Sequence, residues 1–206
     1  MVKLPDHLSV GCNTCHRYST TLQKRMEESC MNLRIKIVTE QSKELPQIEK
    51  LYRAAFPDNE RRPLAPLLQD DTGHGEVLAF YDGTCFCGFA CFLTCGDISH
   101  IIYFAIEDFL RGKGYGTEAL SAMFKLKKGK RIIVDIEVED EHEVNNTQRQ
   151  KRKQFYLRNG FCETEVKYRW RQESYEILSL GGIVSADEFR DFWEQIYSDS
   201  DALSIY

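Results

Sequence analysis

From Leu33 the chain alternates apolar with basic positions, Leu-Arg-Ile-Lys-Ile-Val, which predicts a half-buried first strand. Ile48, Leu51, Tyr52, Ala55 and Phe56 then fall on one stripe at helical spacing, and Pro57 stops the pattern. The apolar run 76–81 ends in Asp82-Gly83, a hairpin signal, and 85–95 returns as its partner. Gly96-Asp97 turns the chain into an apolar strand at 100–106. A glycine-rich turn at 112–116 leads into the helical stripe Leu120, Met123 and Phe124, and 131–138 reads as a further strand. Thr147-Gln-Arg-Gln150 has the spacing of a capping box opening a helix that runs to Gly160. Strands follow at 161–170 and 174–180, and Ser185-Ala-Asp-Glu188 caps a last helix, about 185–197, whose Phe189, Phe192, Trp193 and Ile196 share a face.

Strands precede, separate and follow helices, which predicts an α/β (α+β mixed) fold: a single mixed, mostly antiparallel sheet with helices on both faces. Residues 1–30 are polar and lack this patterning, so they read as an N-terminal arm, with the folded domain at 31–206. Cys12-Asn-Thr-Cys15-His16 in the arm matches a haem-attachment spacing or half a zinc site, but no second Cys/His pair completes a tetrahedral set, so no metal is expected. Cys85, Cys87, Cys91 and Cys95 have odd numbers within one strand, which predicts that they share a face as small core residues.

Composition narrows the function classes. The 27 Lys and Arg are outnumbered by 32 Asp and Glu, a net charge of −5, so no nucleic-acid partner is expected to bind through overall charge. No run reaches the ~18 apolar residues of a membrane span. The opening Met1-Val-Lys-Leu-Pro-Asp-His lacks the apolar core of a secretory signal, so the sequence predicts a cytoplasmic protein whose cysteines are mostly thiols.

The stretch that carries chemistry is Arg111-Gly112-Lys113-Gly114-Tyr115-Gly116-Thr117, directly after a strand. Glycines let a backbone approach a ligand closely, and a helix beginning there leaves its first N–H groups without internal partners. Those donors suit an anion, with Arg111 or Lys113 adding charge at the rim. A dinucleotide-binding fingerprint fails because the sixth position from Gly112 is Thr117, and a Walker loop fails because Gly112-Lys113 precedes Gly114.

What fits is Arg-x-x-Gly-x-Gly, met by Arg111, Gly114 and Gly116, and further on Gln154-Phe155-Tyr156-Leu157-Arg158-Asn159-Gly160-Phe161. Together these resemble the acetyl-coenzyme A signature and the Phe-Tyr-x-x-x-Gly-Phe helix end of the GNAT superfamily of N-acetyltransferases, over about residues 33 to 180. The resemblance implies a GNAT-type enzyme that moves the acetyl group of acetyl-CoA, as co-substrate, to a primary amine by direct transfer in a ternary complex, without a metal. It implies that 111–117 holds the pyrophosphate, that Ile106 offers backbone groups near the thioester, and that Tyr156 protonates the departing thiolate. A phenol of reference pKa ~10 keeps its proton at neutral pH and can give it to a leaving thiolate. Family members often carry asparagine seven positions before that tyrosine and a small residue four before it; Arg149 and Arg152 stand there.

An amine must be neutral to attack, so a base belongs near the thioester. Asp135 and Glu137 share one face of a strand that by resemblance borders the cleft, and Glu137 is the choice. Asp58, Glu60, Arg61 and Arg62, mixed in sign, express no preference, and the run Arg149, Lys151, Arg152 and Lys153 reads mainly as a solvated surface. The acceptor is a small-molecule or peptide amine, and a homodimer is left open. The alternative is a non-catalytic CoA-binding module.

Overall fold

A computed structural model of the protein describes residues 33–58, 60–69, 73–170, 173–196 and 204–205; the arm at 1–30, with its Cys-x-x-Cys-His, lies outside the described residues. The elements are β1 (Leu33–Val38), α1 (Leu45–Ala55), α2 (Ala65–Leu68), β2 (Gly75–Asp82), β3 (Cys85–Cys95), β4 (Ile98–Ile106), α3 (Tyr115–Leu126), β5 (Arg131–Glu137), α4 (Asn146–Arg158), β6 (Cys162–Trp170), β7 (Glu173–Leu180), α5 (Ala186–Ile196) and β8 (Ser204–Ile205), with a 3-10 turn at Asp108–Leu110. The strands form one sheet in the order β1-β2-β3-β4-β5-β7-β6-β8. Among the described residues only β4 and β5 pair in parallel; the other ladders are antiparallel. This is the mixed, mostly antiparallel sheet that the patterning predicts.

Helices cover both faces because the stripes read from the sequence bury against alternate strand positions. On one face Leu120 and Met123 of α3 and Tyr156 of α4 pack on Leu78, Phe80, Phe92, Ile101, Ile132 and Val134. On the other, Ile48, Leu51 and Tyr52 of α1 meet Val77, Phe89 and Cys91, while Phe189, Phe192 and Trp193 of α5 meet Ile133, Tyr168 and Ile177. Each large apolar side chain fully buried in this way contributes about 1.5–3 kcal/mol. The capping box of α5 forms: Glu188 N–H donates to Ser185 Oγ at 3.2 Å, and Ser185 N–H donates to Glu188 Oε2 at 2.9 Å.

Three details depart from the sequence reading. The second capping box does not open its helix, because α4 already begins at Asn146, ahead of Thr147. The cysteines of β3 do not share a face: Phe80 pairs with Gly88 and Tyr81 with Phe86, so Cys87 has no partner opposite it. That bulge inverts the alternation and puts Cys87 among the residues under α3, while Cys91 lies under α1. The basic run of α4 is largely spent internally: Arg149 is 5% exposed and bonds Val138 O at 3.0 Å and Glu173 at 3.3 Å, and Lys153 pairs with Glu163 at 2.5 Å and Glu176 at 2.9 Å.

What positions the site is the centre of the sheet. The β4–β5 ladder runs from Ile98↔Arg131 to Ile101↔Val134 and stops there, although β4 continues to Ile106 and β5 to Glu137. At the same level β3 opposes Cys91 to Tyr103 and Phe92 to Ile101, leaving Ile102 as a bulge in β4. A bulge bends its strand and increases the local twist. Beyond Ile101, therefore, β4 and β5 are unpaired and leave a gap in the middle of the sheet.

Candidate active site

On the α3 face, the turn after β4 is built from backbone. Gly112 and Gly114 have φ of +73° and +91°, a region that L side chains rarely adopt, and Gly114 is the N-cap of α3. The first helical bond runs from Glu118 N–H to Gly114 O at 3.1 Å, so the N–H groups of Tyr115, Gly116 and Thr117 lie ahead of it. The side chains of the motif turn to other work. Arg111 Nε donates to Ile106 O at 3.2 Å and its guanidinium pairs with Asp108 at 2.9 Å, while the Tyr115 hydroxyl donates to Asp82 at 2.8 Å. Arg111 thus braces the turn against the end of β4, and Lys113 is exposed at its rim.

The second motif meets the first in space. A Cβ at Gly116 would stand 3.1 Å from the Phe155 ring, so only a glycine lets α3 and the end of α4 approach this closely without displacing that ring. Tyr156 is fixed by how α4 ends. Phe161 N–H bonds Tyr156 O and Gly160 N–H bonds Leu157 O, both at 3.1 Å, with Gly160 at φ +87°. This is a Schellman motif, and its hydrophobic contact is the Tyr156–Phe161 ring pair at 5.2 Å between centroids. The spacing Tyr-x-x-x-Gly-Phe is therefore a helix-stop geometry that holds the phenol in place. Tyr156 is 6% exposed, and burial raises its hydroxyl well above the usual range, with Arg152 opposing the shift and Asp135 adding to it.

On the opposite face, a cavity of about 140 Å³ is lined by Phe56, Glu60, Arg62, Tyr103, Asp135 and Glu137, together with His100, Ile102, Arg152, Tyr168, Trp170, Tyr175 and Trp193. Its residues come from the loop after α1 and from β4, β5, α4, β6, β7 and α5. The loop after α1 is pinned to β4 and to α1 itself: the Tyr103 hydroxyl of β4 donates to Glu60 O at 3.0 Å, and the Tyr52 hydroxyl of α1 donates to Arg62 O at 3.0 Å. Tyr103 is the residue after the β4 bulge, so this anchoring sets Glu60 beside the gap between the strands.

Two charged groups at the cavity are satisfied internally. His100 Nε2 lies 2.7 Å from Asp135 Oδ1, and the Tyr168 hydroxyl donates to Asp135 Oδ2 at 2.8 Å. Burial pushes the Asp135 carboxyl up, but the His100 charge and hydrogen bond and the Tyr168 hydroxyl outweigh it, so the group sits below its usual range. Glu137 is paired with Arg152. Glu60 has no cation at ion-pair distance among the described residues; burial raises its carboxyl, against the pull of Arg152 and with the push of Glu173 and Asp135. Burial also pushes the Tyr175 phenol up to about 12.

The structure thus brings Arg111, Gly112, Lys113, Gly114, Tyr115, Gly116 and Thr117 together at one end of the gap, against Phe155 beside Tyr156, and places Glu137 in the cavity on the far side. Ile106 ends the stretch of β4 that pairs with β3 but no longer with β5. Sequence reasoning missed His100, Tyr168, Trp170, Tyr175 and Trp193 as cavity residues. Their one available signal was that His100 and Asp135 occupy neighbouring strands, which becomes legible only when the β4–β5 pairing is known.

Residues 45–161, more than half of the chain, match the family model described as the acetyltransferase (GNAT) family. No curated protein gives a significant match. Among solved structures, a Bacteroides thetaiotaomicron protein described as a GNAT-family acetyltransferase aligns at 19% identity with a TM-score of 0.66, covering 80% of this chain and 96% of its own. A Bacillus subtilis acetyltransferase in complex with CoA aligns at 16% identity and TM-score 0.52, over 74% of this chain and all of its own. The ribosomal-protein-S18-alanine N-acetyltransferase of Escherichia coli aligns at 14% and 0.52, over 74% and 96%. At such identities these likenesses speak for the fold, and the family match carries the assignment. By that match over more than half of its length, the chain belongs to the GNAT family of acetyltransferases.

Proposed function

We propose that the enzyme transfers the acetyl group of acetyl-CoA directly to a primary amine within a ternary complex. The observation that carries this reading is the gap in the sheet, where the β4–β5 ladder stops: the glycine turn follows β4 on one side, a cavity with unpaired acidity lies on the other, and the buried Tyr156 packs on Phe155, which touches Gly116. The cradle fits a diphosphate by its own chemistry, with successive N–H groups at a helix start and glycines where a Cβ would intrude or strain. The N–H groups of Tyr115, Gly116 and Thr117 would hold that anion, and Lys113 would add charge from the rim. Bound there, the co-substrate supplies an activated thioester.

The rest is the work of this chain's side chains. Tyr156, held protonated by burial, gives its proton to the departing sulfur. A carboxylate of the cavity takes the proton of the attacking amine. Glu137 faces the cavity, but its bond to Arg152 makes it a poorer base, because a paired guanidinium favours the ionised form. Glu60 shares the cavity without such a partner and its carboxyl is raised, so we assign the proton to Glu60, with Glu137 holding Arg152 at the wall. The alternative, a CoA-binding module without catalysis, calls for a closed or base-free acceptor side, and a cavity lined by three carboxylates favours the enzyme. The reading includes a cytoplasmic location. It includes no nucleic-acid partner, since Arg149, Arg152 and Lys153 are engaged with Glu173, Glu137 and Glu176.

The test is thiol release from acetyl-CoA in the presence of a panel of primary amines. Amine-dependent release is expected, with acetylated amine as product; binding of CoA with no release for any amine would return the module.

A further inference from the structure

We infer that the cavity is a receptor for a small primary ammonium ion bearing one apolar, preferably aromatic, group, with Glu60 facing the charged nitrogen. The inference rests on the acetyl-transfer reading for its purpose, but not for its observations.

Charge identifies the head group. Three carboxylates and two guanidiniums line the cavity, and two of the carboxylates are already engaged: Glu137 with Arg152, and Asp135 with His100 and Tyr168. The Arg62 guanidinium lies over the Trp170 ring at 4.8 Å from its centroid. Glu60 is the carboxylate left without a cation at ion-pair distance among the described residues, and its main chain is fixed by Tyr103, which keeps the residue at the cavity wall. Its partial burial costs free energy that a bound cation would recover. An anionic acceptor would instead bring a second negative charge beside Glu60.

The walls identify the body. Phe56, Tyr103, Tyr168, Trp170, Tyr175 and Trp193 line the cavity, and Tyr168 and Tyr175 stack at 5.3 Å. Aromatic faces attract a cation within about 6 Å and bury an apolar or aromatic group well. The volume, about 140 Å³, is below the ~300 Å³ where sites for drug-sized ligands begin. It suits an amine the size of one side chain better than a sugar-sized polycation.

The test uses three probes of one shape on the full chain, with and without CoA: 2-phenylethylamine, 2-phenylethanol and 3-phenylpropionate, titrated calorimetrically at neutral pH. The amine is expected to bind at least about tenfold more tightly than the alcohol, and the carboxylate most weakly, as a desolvated charge pair would give. Glu60→Gln, checked by its melting temperature to be folded, is expected to remove most of the preference for amine over alcohol. Equal binding of amine and alcohol, tightest binding of the carboxylate, or no binding of any probe overturns the inference on the wild-type protein alone. A folded Glu60→Gln that keeps the full preference overturns the role of Glu60. Binding of the amine without any binding of CoA would refute acetyl transfer and leave the ammonium site standing, so the two failures are distinguishable.

Discussion

The two ends of the gap are built on opposite principles. The cradle at the start of α3 is made of main-chain groups within seven consecutive residues, and its side chains mostly brace the turn, as Arg111 does on Ile106 O. The cavity proposed for the acceptor is made of side chains from one loop and six helices or strands, positioned by hydrogen bonds between residues far apart in sequence, such as Tyr103 with Glu60 and Tyr168 with Asp135. A ligand common to a whole family can be held by backbone. A ligand peculiar to one enzyme needs chemistry that only side chains supply.

The largest effect is expected at Tyr156, the proposed acid. Tyr156→Phe keeps the ring contacts with Phe155 and Phe161 and removes only the proton. The expected result is a fall in kcat of about a hundredfold, within the range for a general acid, with CoA affinity and melting temperature nearly unchanged. If kcat holds with a turning-over amine, the phenol has no chemical part and the two ends are joined by packing alone.

This division also explains what the sequence reveals. Most strands, the stripes of α1, α3 and α5, and both glycine motifs are legible because each is a local rule: period, turn chemistry or helix stop. The inversion at Cys87 is not legible, since a bulge arises from pairing with β2 and leaves no local mark on an apolar run. Arg149 and Lys153 look solvated for the same reason, because their acidic partners on β6 and β7 enter only with the tertiary fold. Glu60 is ambiguous in a mixed-sign loop until the bulge in β4 delivers Tyr103 to its carbonyl.

On the side-chain end, Asp135→Asn should cost about 2 kcal/mol of stability, because one partly buried carboxylate bonds both His100 and Tyr168 and an amide cannot replace both. The sign with pH follows from the lowered Asp135 carboxyl: its contribution is present above the unfolded value of about 4 and is lost as pH falls through the folded value. The variant's melting temperature should therefore fall less steeply than the wild type's as pH drops below about 4. CoA binding at neutral pH should be spared, and a matching loss there would show that the two ends are not independent.

On the backbone end, Gly114→Val should weaken CoA binding by about tenfold, since an L side chain at φ +91° costs about 1–2 kcal/mol and shifts the N–H groups that follow. Amine-probe binding should be retained, the mirror image of Asp135→Asn.

The smallest effect makes the sharpest test of a backbone-built cradle. Lys113 is exposed beside it, and Arg111 spends its Nε on Ile106 O and its guanidinium on Asp108. If main-chain donors do the holding, Lys113→Ala loses only a screened surface charge, worth about 0.5 kcal/mol or a two- to threefold rise in the CoA dissociation constant, and added salt should erase the difference. A loss of about a hundredfold (~2.7 kcal/mol) that persists at high salt would mean that the lysine, and not the helix start, grips the diphosphate. The contrast between a backbone end and a side-chain end would then fail at its simpler half.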